Sequence, residues 1–187
     1  MKILLFHICI LCFLVSCNTE TRDTKLNTTK EPRQIKIDDS TVYSVINYLF
    51  ENKSSNPFLK YDKVLETAGM PFFFLFKNDS LKIVTLDTIF NSKDIEYMQT
   101  QRKQFNTFKL EQSKLINKTI ISGDSTELFK NIPFCYISFP VFNTHKDKFI
   151  IWTGYSCGGI CGEGATFIYQ KNGKDWIPIK ILNQTVH

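Results

Sequence analysis

Residues 148–182 read "KFIIWTGYSCGGICGEGATFIYQKNGKDWIPIKIL". Three β-rich runs, 148–155, 164–171 and 176–182, are parted only by a glycine-cysteine segment and by Asn172-Gly173-Lys174-Asp175. Connections this short return the chain antiparallel, because a parallel crossover needs about a dozen residues or more. Asn172-Gly173 is a strong hairpin signal, since a turn with that pair at its centre needs positive φ at both positions. A fourth run, "FCYISFPVF" at 134–142, leads in through the loop "NTHKD". The expected C-terminal unit is a four-strand antiparallel meander.

Upstream, the periodicity changes. Val42, Val45, Ile46 and Leu49 form one apolar stripe at helical spacing, with Asp39 or Ser40 as cap and the "NKSSNP" turn as stop. Asn56-Pro57 is placed to open a second short helix toward Ala68, with Gly69 ending it. Runs at 72–76 and 81–86 flank Asn78, Asp79 and Ser80 as a hairpin, with Phe72-Phe73-Phe74 on a strand buried on both faces. A further helix starts at Asn91 or Ser92, and its thin stripe of Ile95, Met98 and Phe105 places it on a surface. The sum is an α+β fold: an antiparallel β-sheet ending in the meander, with two or three helices packed on one face.

The other end of the chain carries a different signal. Lys2 is followed by thirteen mostly apolar residues, Ile3 to Val15. A bilayer span needs about 20, but the length suits the apolar region of a secretory signal. Leu14-Val15-Ser16-Cys17 then resembles the lipobox of bacterial lipoproteins. That resemblance implies a signal peptide at 1–16, cleavage between Ser16 and Cys17, and acyl chains of the palmitate type on Cys17. Two or more chains make a stable membrane attachment. Asn18 stands where an Asp favours inner-membrane retention in such lipoproteins, which points to the outer membrane. Residues 18–39 hold no aromatics and are rich in Thr, Asn and charge, so residues 17–39 read as the lipidated Cys plus a flexible tether. Its reach is about 25 Å. Residues 40–187 are left as a single globular domain. The net charge of +5 is interspersed rather than gathered, which leaves no nucleic-acid footprint.

Of six cysteines, Cys9 and Cys12 leave with the signal and Cys17 takes the lipid. Cys135, Cys157 and Cys161 remain in a compartment that permits disulfides, and the odd count leaves at least one unpaired within the monomer. Gly154-x-Ser156-x-Gly158 matches the nucleophile elbow of hydrolases, and Asp175 and His187 follow in the right order. The elbow depends on a strand turning into a helix, and here glycines and another strand follow. His145, the other mature histidine, sits in a hairpin loop ahead of the serine. Cys157 and Cys161 have three residues between them rather than the two of a thioredoxin-like motif, and no helix N-terminus lowers a thiol pKa. A zinc site from Cys135, Cys157, Cys161 and His145 lacks a second closely spaced pair. Neither glycine-rich phosphate-loop pattern is present. What suits the segment is a Cys157–Cys161 disulfide across a tight loop, worth about 2 kcal/mol by chain entropy, with glycines serving backbone geometry. Cys135 is then a buried apolar residue or, alternatively, the partner of one of the two. Trp152 and Trp176 read as strand packing.

The order "NSKDIEYMQTQ", "ISFPVFNTHKDKFIIWTGYSCGGICGEG", "IYQKNGKDWIPIKI" is similar to uncharacterised bacterial lipoproteins of Gram-negative envelopes, which share a Cys-Gly-Gly-x-Cys-Gly segment and a closing Asn-Gly hairpin followed by Trp, here Asn172-Gly173 and Trp176. The likeness spans 90–181 and implies location and fold without an activity. The expected protein is a lipid-anchored, non-enzymatic envelope protein without a cofactor, whose domain binds or supports an envelope protein partner. Two alternatives stay open: an inhibitor or immunity protein against an envelope hydrolase, and a small envelope enzyme using Cys157 and Cys161 in redox or metal chemistry.

Overall fold

The computed structural model describes residues 35–52, 54–67, 86–122, 132–159 and 161–186. The signal peptide, Ser16, Cys17, the tether through residue 34, the hairpin expected around 78–80 and His187 lie outside the described residues.

Helix α1 (Asp39–Glu51) buries Val42, Val45, Ile46 and Leu49, the stripe visible in the sequence. Its cap is Asp38, one residue earlier than expected. Asp38 accepts from the Thr41 backbone N–H at 2.8 Å and from the Ser40 and Thr41 hydroxyls, which hold its carboxyl well below the usual range. The fold reaches back to buried Ile37, whose N–H and C=O both pair with the Gln104 side chain, at 2.8 and 2.7 Å. Along its length α1 is tied to residues 109–116. Tyr43 Oη accepts from Glu111 N–H, Asn47 bridges Lys114 and Ile116, and Lys114 pairs with Asp39 and Glu111.

Between Asn56 and Thr67 the described residues form no helix. The chain turns, then forms β1 (Lys63–Leu65). Asn56 is buried and its amide is committed elsewhere, donating to Thr153 Oγ1 at 3.0 Å and Tyr169 Oη at 3.2 Å while accepting from Phe58 N–H. The expected helix after Asn91 does form, as α2 (Ser92–Thr100), with a reciprocal capping box between Asn91 and Asp94. It is broken at Gln101 and resumes as α3 (Arg102–Thr107). Gln101 is fully buried, donating to Phe142 C=O at 2.6 Å and accepting from Phe142 N–H at 2.9 Å. Of α2 only Asp94 and Met98 are buried, and α3 buries none of its residues, so the pair lies on the surface and meets the core through a thin seam.

The protein is α+β, but its sheet is mixed, and the four-strand meander is not formed. Among the described residues, seven strands run in the order β2-β1-β3-β5-β6-β7, with β4 also paired to β5. β1 lies parallel between β2 (Thr119–Ile121) and β3 (Phe134–Ile137). The run 134–142 is split into β3 and β4 (Val141–Phe142), both antiparallel to β5 (Lys148–Gly158). The interruption has a local cause. Pro140 has no N–H to give a ladder, and the Ser138 hydroxyl accepts the Trp152 N–H that a backbone carbonyl would take. The regular antiparallel part is β5, β6 (Cys161–Asn172) and β7 (Asp175–Val186). β3 and the middle of β5 and β6 are buried at consecutive positions, so both faces are covered there. Phe149 stacks on Tyr169 and meets Trp176 edge-on, while Trp152 stacks on Tyr136.

The β6–β7 hairpin forms where Asn172-Gly173 marked it, but Asn172 pairs with Asp175 and the central residues are Gly173 and Lys174. Only Gly173 has positive φ, +63°, the pattern of a II′ turn.

Candidate functional site

The glycine-cysteine segment is the far end of the β5–β6 hairpin. Ser156 faces Gly162 and Gly158 faces Cys161, so Cys157 is the extra residue of a β-bulge with no opposing partner. Gly158 and Gly159 take φ of +93° and +65°, values that favour glycine. This geometry places Cys157 and Cys161 at disulfide distance, with Cα atoms 5.4 Å apart. Cys135 is not in that pair. It is buried on β3, where its sulfur lies 3.2 Å from Tyr61 N and 3.3 Å from Tyr61 O.

The remaining glycines of the segment make room. Gly154 pairs with Tyr136, and a Cβ on Gly154 would overlap the Tyr136 ring. On Gly164 a Cβ would press on the Trp152 ring at 3.1 Å, and on Gly162 it would meet Tyr155 O at 2.7 Å. The stacked pair of Tyr136 and Trp152, with ring centroids 4.2 Å apart, lies against two of these positions. Burial, with the nearby Tyr155 and Cys135 acting in the same sense, pushes the Tyr136 hydroxyl up to about 12. It stays protonated at neutral pH and donates to Glu163 C=O at 3.3 Å.

The hydrolase constellation is not brought together. Ser156 is buried at one end of β5, and its Oγ accepts from Gly158 N–H at 3.4 Å. Asp175 closes the opposite end of β6, ten residues beyond Gly162, a separation of about 30 Å at strand rise. There it accepts from Tyr48 Oη at 3.3 Å. His145 lies in the β4–β5 loop at that same distant end, which also removes it from any set with Cys157 and Cys161. Among the described residues, no group of three or more His, Cys, Asp or Glu could hold a metal ion.

Three features carried no sequence signal. Beside the cysteine pair, Lys60 Nζ sits 3.6 Å from the Tyr155 ring centroid, and Tyr61 and Phe58 pack on the same ring. Exposed Lys60, Gly159 and Cys161 with half-buried Tyr61, Tyr155 and Cys157 make a braced aromatic and cationic surface. The second is Lys118, buried with its ammonium donating to Leu59 and Tyr61 carbonyls below a cleft of about 280 Å³ lined by Phe50, Glu51, Asp62 and Ile116. The third is Asp94. Burial pushes its carboxyl up, but the Thr144 hydroxyl and N–H and the Asn91 N–H outweigh that, with His145 adding to them, and hold it below the usual value. All three depend on partners dozens of residues away, which spacing alone does not reveal.

Among the described residues, no helix is long and apolar enough to cross a membrane. No family model, curated protein or solved structure matches the chain.

Proposed function

We propose that the protein is a lipid-anchored envelope lipoprotein of the outer membrane, held through Cys17 after cleavage behind Ser16, whose domain is a non-enzymatic binding or supporting module for an envelope protein. The observation that carries the anchor is Leu14-Val15-Ser16-Cys17, at the end of an apolar segment too short to span a bilayer. For the domain, the support is the use to which the glycine-cysteine segment is put: Gly154 and Gly164 accommodate aromatic rings, and Gly158 and Gly159 make the turn. The Cys157–Cys161 pair is a structural disulfide in this reading. It stiffens the hairpin end that carries Tyr155 against Lys60, the surface offered to the partner. A rigid hairpin end also suits an inhibitor that plugs a hydrolase cleft, a narrower form of the same proposal.

Replacing Cys17→Ala should release the protein from the membrane fraction, and retention of the variant would refute lipidation at that residue. A photoreactive residue placed at Lys60 should give one discrete adduct in native envelopes, whereas the same residue at Lys174, at the other end of the sheet, should not. Thiol labelling without reductant should leave Cys157 and Cys161 unmodified; free reaction of both would return weight to redox chemistry.

A further inference from the structure

The opposite end of the sheet has its own character. β7 is the last strand in the sheet order, and three of its isoleucines stand open: Ile177 at 42 %, Ile179 at 44 % and Ile181 at 53 % exposure. Pro178 between them is exposed too. From Gln170 to Ile181 only Trp176 is buried, so the β6–β7 hairpin projects from the core. The register sets Ile177, opposite Gln170, and Ile181, opposite Phe167, on the two faces of the hairpin with Ile179 unpaired between them, so the three flank its open edge, and large exposed apolar side chains along one edge mark a contact surface.

The backbone of this edge is poorly suited to pairing with another strand. Pro178 offers no N–H, and bulges between Ile168 and Tyr169 and between Thr166 and Phe167 disturb the spacing of β6 against β7. Recognition therefore falls to side chains, and their charge is one-sided. Lys171, Lys174 and Lys180 border the isoleucines, and Asp175, the one acidic residue between 170 and 181, accepts from Tyr48 Oη. Apolar side chains ringed by lysines match the interface of an anionic bilayer, where hydrocarbon lies beneath phosphate.

We propose that the β6–β7 hairpin docks on an anionic lipid surface, with Ile177, Ile179 and Ile181 entering the interfacial layer and Lys171, Lys174 and Lys180 meeting lipid phosphates. Docked this way, the Lys60–Tyr155 surface stands at the far end of β6, away from the lipid.

The test uses the full chain with Ile179→Cys carrying an environment-sensitive fluorophore, reconstituted in vesicles of phosphatidylcholine with or without phosphatidylglycerol. The expected result is blue-shifted emission, quenched by nitroxide lipid, with phosphatidylglycerol present. That shift should be lost when Lys171, Lys174 and Lys180 are changed to Gln. Aqueous emission from a chain that floats with the vesicles would overturn the docking and leave the anchor standing. An equal shift in phosphatidylcholine alone would overturn the role of the lysines. A shift that grows with protein concentration in the absence of vesicles would show pairing with a second copy and overturn the lipid reading. Lipid-buried emission that persists after Cys17→Ala, with the variant still membrane-bound, would uphold the docking while removing the anchor.

Discussion

Tyr136 lies across Gly154 so closely that the glycine hydrogen is part of the packing. Gly154→Ala should therefore destabilise the fold by about 1–3 kcal/mol, the usual cost of overpacking a filled core. Gly159→Ala, at positive φ but in open space, should cost only about 1 kcal/mol. Urea midpoints of the two variants check this order, and equal midpoints would show that Tyr136 swings clear. A second residue, Asp94, links pH to stability. Its carboxylate accepts from Asn91 and Thr144 and joins the start of α2 to the β4–β5 loop. Because its folded value lies below the ordinary 3.8, its contribution is complete above that value and is lost as pH falls through the lower folded one. Asp94→Asn should cost about 1 kcal/mol near neutral pH, with the gap to wild type narrowing on acidification. A gap that widened instead would reverse the sign assigned here.

At the scale of elements, the break between α2 and α3 and the split between β3 and β4 belong together. Gln101 reproduces with its amide the donor and acceptor of a neighbouring strand, and the backbone it satisfies is Phe142 on β4. Likewise the Asn56–Thr153–Tyr169 cluster fixes a turn onto β5 and β6 where a helix was expected. Burial and the hydrogen bond from Asn56 act on Tyr169 in opposite directions; burial prevails and raises its hydroxyl pKa, so it remains a donor, to Ser55 C=O. The β5–β6 hairpin holds its cysteine pair at disulfide distance across a bulge, and the proposed disulfide would brace it. Cys157→Ser with Cys161→Ser should lower stability by about 2 kcal/mol, the chain-entropy cost of opening so small a loop. The same shift should follow when wild type is reduced, and an unfolding midpoint unmoved by reductant would show that the pair carries no cross-link.

Across the whole molecule, stability should be graded along the sheet. β3 and the middle of β5 and β6 are covered on both faces, whereas the hairpin from Gln170 to Ile181 is open to solvent. Hydrogen exchange should be slowest at Phe134–Ile137 and around Ile150–Thr153, and faster by orders of magnitude near Ile177–Ile181. Uniform protection would show that β7 is held as firmly as the centre, against the projecting hairpin.

The sequence alone determined the features that a few neighbouring residues decide. The α1 stripe, the cap at Asn91, the closing hairpin near Gly173 and the strands of 148–182 all follow from local periodicity or from one residue's allowed φ. The proposed anchor at Cys17 rests on four adjacent residues, Leu14 to Cys17, and on nothing in the tertiary structure. Tertiary structure decided whatever requires partners far apart in the chain. It placed β1 parallel between β2 and β3, spent Gln101 and Asn56 on distant backbone and side chains, and put Ser156 and Asp175 at opposite ends of β6. The glycine-cysteine segment shows the boundary most clearly. Its turn was legible because positive φ is a property of glycine itself, but the need for Gly154 was not, because the ring that fills its space arrives from another strand.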